Sequence, residues 1–333
     1  MHRTCQTLSV FPHTRQRPGV WTVADIGGTH ARLARWSAET GLEPPLRVKN
    51  EEYRGPSELF EAWFGHSRDV PRRLLLALAM PVGGDALELT NRAWRFVPRE
   101  LIDALRLDAL VIVNDFAAAA AGVDALGSGP ALALNPEGQA IRGTRLVLGP
   151  GTGLGAAAIV DDEPARIVAS EAGHITFGSA ADVADRLVHE GRARWGRVSW
   201  ERVLSGDGIS WLHAVVTGVA QRPEEIAAAA AAGDPQALRT VGAFARFLGE
   251  FAGDACLAFQ ATEGVYLCGG VLRGLLPRFD TPAFLAAFAD KGRFSAPLRR
   301  VPIYFVGGHE LGLHGAAHFL AGRCRMPSTE WTA

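Results

Sequence analysis

The chain has 333 residues, more than one hydrophobic core usually spans, so we expect two domains. Hydrophobic residues make up 48% and charged residues 21% of the sequence, which is typical of a globular protein with an ample core. The net charge of -1 argues against a nucleic-acid partner, because such proteins normally carry a basic excess. The sequence has no apolar run long enough for a transmembrane helix, so we expect no membrane partner.

Cysteine usage and the N-terminal segment give two further expectations. The cysteines are scattered and no pair has the CxxC spacing of a zinc or redox motif, which fits a reducing, cytoplasmic compartment. Residues 1–19 contain arginines, no acids and no apolar run that would serve as a signal peptide. We expect these residues to be a disordered N-terminal extension.

The first elements along the chain predict a glycine-turned hairpin followed by alternating strands and helices. Two apolar runs, WTVADI and HARLARWSA, flank Gly27-Gly28 and predict a β-hairpin. Helical spacing follows in PSELFEAWFGHS, with Ser57 as the expected cap, and in RELIDALRL. The runs LLLALAMPV and ALVIVNDF predict buried strands, and AAAAAGVDAL predicts a helix.

A second cycle begins after the loop-like segment GSGPALALNPEGQAIRGT, which we take as a domain boundary. RLVLGPGTGLGAAAIV again reads as strand, glycine turn and strand. Helices follow in AADVADRLVHEGRARWG, in ERVLSGDGISWLHAVV and in a long segment from about Pro235 to Phe259, then come the strands GVYLCGG and VPIYFV and the helix LGLHGAAHFLAG. The alternation predicts an α/β fold, and the two similar openings suggest two related domains that face each other across a cleft.

The two glycine turns are candidates for phosphate binding. A glycine turn presents backbone N–H groups with no side chain in the way, which suits phosphate oxygens. Either turn alone can equally be an ordinary hairpin turn, but two copies at the starts of two half-chains favour phosphate. Asp25, beside the first turn, would repel a phosphate unless a cation lay between them. Asp25 therefore suggests Mg²⁺, held directly or through water.

Other phosphate and metal motifs are absent or fit poorly. GTGLGA, residues 151–156, matches a dinucleotide-binding fingerprint, but that fingerprint must open a helix and here a strand-like run follows. The sequence contains no GxxxxGK[ST] phosphate loop. In HELGLH the two histidines are five apart, which spoils the geometry of an HExxH zinc site.

Polar residues at three places are candidates for binding a sugar. Asn114 and Asp115 end an apolar strand, where α/β proteins place their chemistry, although such an aspartate can also simply cap the next helix. Glu171 and His174 lie three apart in a segment that can also be a loop with a satisfied histidine. Glu201 stands at an expected helix start, where an acid can also lie simply because the helix dipole favours it. Together they offer donors and acceptors suited to sugar hydroxyls.

As a set, the motifs resemble the bacterial glucokinase family of the Escherichia coli type. The resemblance runs from about Val23 to the last helix, in the family's order, through DIGGTHARLA, LTNRAW, NDFAA, GTGLGAA, EAGHITF, ERVLSGDG, LCGGVLRGLLPRF and DKGRFSAPLRRVPIYFV. It implies the two-domain actin/hexokinase-like fold, a duplicated ribonuclease H-like α/β fold with a central cleft. A small domain would comprise 20–125 plus 310–325, and a large domain 126–309.

The resemblance also implies an activity and roles for individual residues. The protein would transfer the γ-phosphoryl group of MgATP to the 6-hydroxyl of glucose, with Asp115 as the catalytic base, and the family suggests a homodimer. Glucose would contact Asn114, Asp115, Glu171, His174 and Glu201. ATP and Mg²⁺ would lie against Asp25, Gly27, Gly28, Thr29, Gly151, Thr152, Gly153, Gly269 and Gly270.

The sequence departs from the family pattern in three places, and two alternative functions stay open. His30 stands where the family commonly has asparagine, Ala172 replaces a glycine, and GGHELGLHG is a loose version of a family segment. The alternatives are a kinase for another hexose, an amino sugar or another phosphoryl donor, and a sugar sensor without turnover. The presence of both Asp25 and Asp115 argues against the sensor.

Overall fold

The fold was analysed in a computed structural model, which describes residues 5–9, 17–65, 72–79, 87–88, 94–127, 131–308 and 310–332. The chain divides into two compact units. The first comprises Met1–Gly127, Ile159–Ala169 and Glu310–Ala333, and the second comprises Ser128–Ala158 and Ser170–His309. Among the described residues, every helix is too short or too polar to span a lipid bilayer.

The first part of the chain opens with strands and then combines strands with helices, as the sequence predicts. Up to Gly127 the elements are β1 (Cys5–Ser9), β2 (Trp21–Ile26), β3 (His30–Ser37), β4 (Gly41–Leu42), β5 (Leu46–Lys49), α1 (Pro56–Phe64), β6 (Arg73–Leu78), β7 (Leu87–Glu88), β8 (Arg95–Phe96), α2 (Pro98–Leu105), β9 (Ala109–Asn114) and α3 (Asp115–Leu126).

The remaining elements again combine strands and helices, although the helices between residues 182 and 259 follow one another without a strand, and the predicted α/β class is confirmed. They are β10 (Ala131–Asn135), β11 (Arg145–Pro150), β12 (Leu154–Val160), β13 (Ala165–Ser170), α4 (Asp182–Trp195), α5 (Trp200–Val203), α6 (Gly206–Thr217), α7 (Pro223–Ala231), α8 (Pro235–Phe259), β14 (Gly264–Leu267), α9 (Gly270–Leu275), α10 (Thr281–Ala289), α11 (Ser295–Leu298), β15 (Ile303–Val306), α12 (Leu311–Leu320), β16 (Cys324–Arg325) and β17 (Ser328–Thr332).

The first unit is built on a sheet whose central strands are parallel. Its order is β1-β17-β9-β6-β2-β3-β4, with β5 also paired to β3. β2, β6 and β9 run parallel, and their apolar runs are almost wholly buried, as expected for strands covered on both faces. In register, Ile26 lies beside Leu78, and Leu78 lies beside Asn114. The carboxyl ends of these three strands therefore share one edge of the sheet.

Helices α3 and α12 pack with their backbones in close contact in the first unit. A Cβ atom at Gly315 would lie 1.7 Å from the carbonyl oxygen of Ala118, and one at Gly122 would lie 2.1 Å from that of Leu311. No side chain fits between helices that are this close, so the two glycines determine how near α12 can lie to α3. This contact fixes α3, which follows directly from the polar end of β9.

The second unit has its own sheet and its own core. Five of its strands lie in the order β10-β15-β14-β11-β12, with β11, β14 and β15 parallel and β10 antiparallel to β15. Helices α5 to α10 bury their apolar faces in one cluster with this sheet. Within this cluster, Phe177 packs edge-on against Trp200, with ring centroids 4.8 Å apart, and against Phe247, with ring centroids 5.2 Å apart. These aromatic contacts hold the start of α5 in place.

Three local predictions differ from the structure. Helix α1 begins at Pro56 with Gly55 before it, so Ser57 lies inside the helix and is not its cap. The boundary segment expected to be a loop contains strand β10, which pairs with the edge of β15. The predicted helix ERVLSGDGISWLHAVV is two helices, because the Ser205 hydroxyl accepts from the Gly208 N–H and starts α6 anew.

Residues 5–9 differ from the expectation of a disordered N-terminal extension, and residues 1–4 and 10–16 lie outside the described residues. Cys5–Ser9 form β1, which pairs antiparallel with β17. Strand β17 lies at the end of the chain, beyond the last element that the sequence predicts. Strand β1 is hard to predict, since its hydrogen bonds come from β17, which lies more than 300 residues away in the chain. Of the predicted motifs, most of LTNRAW, the end of LLLALAMPV and His309 lie outside the described residues.

The α3–α12 contact predicts that Gly315→Ala destabilises the protein. The new methyl group would collide with the Ala118 carbonyl, and overpacking of this kind costs about 1–3 kcal/mol. Gly242→Ala, in α8, is the control: its nearest neighbour, Asp280 Oδ2, is 3.9 Å away, and alanine in a helix is expected to stabilise by about 0.5–1 kcal/mol. Urea unfolding measures both. Equal midpoints for Gly315→Ala and the wild type would contradict the close contact.

Candidate active site

The first glycine turn, between β2 and β3, is closed by backbone bonds and braced by Asn50. The Gly27 N–H donates to the His30 carbonyl at 3.1 Å. The fully buried Asn50 donates from its amide Nδ2 to the Gly27 carbonyl at 2.7 Å and from its backbone N–H to the Thr29 carbonyl at 3.0 Å. These bonds fix the backbone of Gly27, Gly28 and Thr29. Sequence reasoning missed Asn50, whose one available signal is a polar residue directly after a strand.

Asp25 lies on β2, two residues before the first turn. Its Oδ2 is 3.1 Å from Nη1 of Arg32, its cross-strand partner on β3. Burial raises the pKa of Asp25, and the charge and hydrogen bond of Arg32 oppose that rise. A Cβ atom at Gly312, near the start of α12, would lie 2.9 Å from Asp25 Cγ. The carboxylate is therefore enclosed by a guanidinium on one side and a helix backbone on another.

Asn114 and Asp115 lie where β9 passes into α3. Asn114 caps the helix, since its Oδ1 accepts from the Ala117 N–H at 2.9 Å. Asp115 is the first residue of the helix, and its Oδ1 accepts from the N–H of Phe116 at 2.7 Å. The capping role considered for the aspartate thus falls to the asparagine. The positive end of the helix dipole favours a carboxylate at this position.

The second glycine turn lies between β11 and β12 and is tied to two other elements of the second unit. The Gly151 N–H donates to the Gly153 carbonyl at 2.8 Å, and its own carbonyl accepts from the N–H of Gly206, at the start of α6, at 2.9 Å. Gly269, before α9, has a φ of +101°, and a Cβ atom there would lie 2.3 Å from the Pro150 carbonyl oxygen. The turn at Gly269-Gly270 therefore lies next to the turn at residues 151–153. Thr152 is exposed at the turn, and Gly270 has open space around it.

Glu171, His174 and Glu201 form one polar cluster. His174 Nε2 lies 3.9 Å from Glu171 Oε2 and 3.8 Å from Glu201 Oε1. Both separations are longer than a hydrogen bond, so these groups do not satisfy one another and can each bond to a ligand hydroxyl. Burial raises the pKa of Glu171; the His174 charge opposes that rise and the Glu201 charge adds to it.

Glu201 also belongs to the second glycine turn. Its Oε2 accepts from the Leu154 N–H at 2.9 Å, and a Cβ atom at Gly153 would lie 2.5 Å from that oxygen. Glycine at 153 is what allows the carboxylate to approach the turn. One side chain thus joins the backbone predicted to bind phosphate to the cluster predicted to bind sugar.

Backbone pairing holds the cluster in shape. The Phe177 N–H donates to the Val198 carbonyl and the Trp200 N–H donates to the Ile175 carbonyl, both at 3.0 Å. Arg197 Nη1 donates to the His174 carbonyl at 2.8 Å. These bonds hold the segment that carries His174 against the start of α5, which carries Glu201. Sequence reasoning also missed Arg197, which has no distinguishing spacing.

The structure therefore brings the predicted residues together in two groups. In the first unit, the turn with Asp25 and the pair at the end of β9 lie at one sheet edge. Two strand spacings separate β2 from β9, or about 10 Å. In the second unit, the group comprises Gly151, Thr152, Gly153, Glu171, His174, Glu201, Gly269 and Gly270.

The contact between Gly153 and Glu201 predicts that Gly153→Ala weakens binding of the sugar, for which the family resemblance implies glucose. The methyl group would displace the carboxylate and break its bond to the Leu154 N–H. Losing a hydrogen bond to a charged group costs about 1.5–3 kcal/mol, so the glucose Kd should rise roughly tenfold or more. Gly178→Ala is the control, because nothing lies within 4 Å of a Cβ atom there. Isothermal titration with glucose measures both; an unchanged Kd in Gly153→Ala would contradict the proposed link.

The chain matches known proteins over nearly its whole length. The family model Glucokinase matches residues 22–323. Glucokinase of Chromohalobacter salexigens is 36% identical over 308 residues, covering 90% of this chain and 96% of the relative.

Solved structures agree. Glucokinase from an Antarctic psychrotroph superposes with a TM-score of 0.74 at 30% identity, covering 91% of this chain and 98% of the other. A ROK family glucokinase from Streptomyces griseus, in complex with glucose and AMPPNP, has a TM-score of 0.59 at 21% identity, covering 90% and 98%, and shares the fold. The chain belongs to the glucokinase family.

Proposed function

We propose that this protein is a glucokinase that transfers the γ-phosphoryl group of MgATP to the 6-hydroxyl of glucose, with Asp115 as the general base. The proposal rests on the strand register, in which Ile26, Leu78 and Asn114, the last residues of β2, β6 and β9, lie side by side. This register brings the first glycine turn and Asp115 to the same edge of the parallel strands. That edge is where α/β proteins bind ligands.

Asp115 suits the role of base in this transfer. Phosphoryl transfer depends mainly on positioning and charge neutralisation, with a carboxylate to accept the hydroxyl proton. Asn114 and the first turn of α3 hold the Asp115 backbone, and the Phe116 N–H orients its Oδ1. A positioned base of this kind contributes roughly 10²–10⁴-fold to the rate.

The sugar would bind to the polar cluster of the second unit, and the family resemblance also implies Asn114 and Asp115 as sugar contacts. Glu171, His174 and Glu201 supply acceptors and a donor that lie too far apart to hydrogen-bond to one another and so can bond to sugar hydroxyls. A site that pairs each hydroxyl rejects sugars that lack one, because the buried polar group would be left without a partner. Glucose in the Streptomyces griseus relative supports this choice of sugar for the family's fold.

The nucleotide phosphates would lie on the glycine turns, with Mg²⁺ near Asp25. Among the described residues, no group of three or more His, Cys, Asp or Glu side chains is placed to hold a metal. A single enclosed carboxylate fits Mg²⁺ well, since this ion takes one or two protein carboxylates and completes its shell with phosphate oxygens and water. Asp25 would hold the ion through water while remaining paired to Arg32. When bound, Mg²⁺ would neutralise part of the phosphate charge.

The role of Asp115 predicts that Asp115→Asn abolishes turnover and keeps glucose binding. The amide cannot accept the proton, so kcat should fall by at least 10²-fold, while the glucose Kd stays within a few-fold of the wild type. Coupled ADP release measures kcat, and isothermal titration measures the Kd.

Asp103→Asn is the matched control, since it removes the same charge from an exposed position on α2 of the same unit. Its kcat should equal that of the wild type. A kcat of Asp115→Asn within tenfold of the wild type would exclude Asp115 as the base. Glucose binding without ADP release by the wild type would exclude the kinase.

A further inference from the structure

A row of basic side chains lies beside the first glycine turn. It comprises His30 and Arg32 on β3 and Arg47 and Lys49 on β5, and we call it the basic row. In the antiparallel register, His30 lies directly opposite Lys49, and Arg32 lies directly opposite Arg47. Directly opposed residues point to the same face of a sheet, and so do residues two apart on one strand. All four side chains therefore share one face.

The basic row is on the face that Asp25 uses. Asp25 lies opposite Arg32 in the register of β2 and β3 and bonds to it at 3.1 Å. His30 directly follows Thr29, and its carbonyl accepts the Gly27 N–H that closes the turn. The row thus begins at the glycine turn and continues along the face on which we place the metal and the phosphates.

Without a ligand, this arrangement is electrostatically unfavourable. Like charges directly opposite each other on paired strands are destabilising. The counter-charges facing the row are Asp25 on β2, which pairs with Arg32, and Glu51 after β5, whose bond to Lys49 at 3.4 Å is solvent-exposed and weak. Burial lowers the pKa of His30, and the charges of Arg47, Arg32 and Lys49 lower it further, while Glu51 opposes them. At neutral pH the row therefore holds a neutral imidazole among three cations.

We propose that the basic row binds the phosphate chain of the nucleotide, and that His30 binds it as the imidazolium, so that nucleotide binding takes up a proton. This inference rests on the proposed function. The phosphates supply the negative charge that the row lacks, and arginine and lysine are suited to contact phosphate oxygens. His30, which replaces the asparagine common in the family, makes the phosphate site sensitive to pH.

The direction of the pH dependence follows from linkage. His30 is neutral in the free protein at pH 7 and gains a proton next to bound phosphate, so the bound state holds more protons. Affinity is then greatest below the His30 pKa of the free protein, which lies under its usual value of 6.5, and falls as the pH rises through the pKa of the complex. A difference of one pKa unit between the two states gives a tenfold change in affinity.

Isothermal titration with MgADP tests the proposal without turnover. Titrations at pH 7 in two buffers of different ionisation enthalpy give the number of protons taken up. We expect the wild type to take up a fraction of a proton more than His30→Asn, at most about half a proton if the His30 pKa is one unit higher in the complex. His189→Asn, at an exposed position of α4, is the matched control and should behave as the wild type does.

Two further arms show which part of the ligand binds the row. Arg47→Gln should weaken MgADP several-fold and leave adenosine binding unchanged, whereas Arg35→Gln, on the opposite face of β3, should change neither. Inorganic phosphate should compete with MgADP. Equal proton uptake by the wild type and His30→Asn would overturn the proposal while kinase activity remains. A folded wild type that binds no MgADP would instead overturn the proposed function.

Discussion

The arrangement of the predicted site residues in the second unit depends on the contacts of the Glu201 carboxylate. One of its oxygens accepts the Leu154 N–H at 2.9 Å, and the other lies 3.8 Å from His174. The approach is possible only because position 153 carries no side chain. The backbone that would hold phosphate and the side chains that would hold sugar are thereby fixed relative to each other. A shift of one would displace the other, which suits a reaction that depends on positioning.

In the first unit, the strand register fixes the relative positions of the predicted site residues. Three parallel strands end in one row, so the glycine turn after β2 and the acid after β9 come to one edge without any direct bond between them. Asn50 then fixes the turn, and the close contact of α3 with α12 fixes the helix that begins with Asp115. In both units, small residues allow backbone approaches that no larger side chain would permit.

Sequence patterns predicted the parts of the fold that depend on local chemistry. The hairpin at Gly27-Gly28 and the helix Pro235–Phe259 were predictable because their residues alone favour these structures. Strands β1, β10 and β17 were not, since they are stabilised by partners distant in the chain. At the candidate site, the residues that we propose to react were selected by their type and by their order in the family's motifs. Asn50 was missed because its role comes from the place where β5 ends against the turn, which no local pattern encodes.

The central claim is that this chain phosphorylates the 6-hydroxyl of glucose, and the product itself tests that claim most directly. The protein, MgATP and glucose labelled with carbon-13 at C6 can be followed by carbon and phosphorus NMR. The account predicts one phosphate ester whose phosphorus couples to the labelled C6, with ADP formed in equal amount. A phosphate ester at another carbon, or ADP formed without any sugar phosphate, would contradict the account.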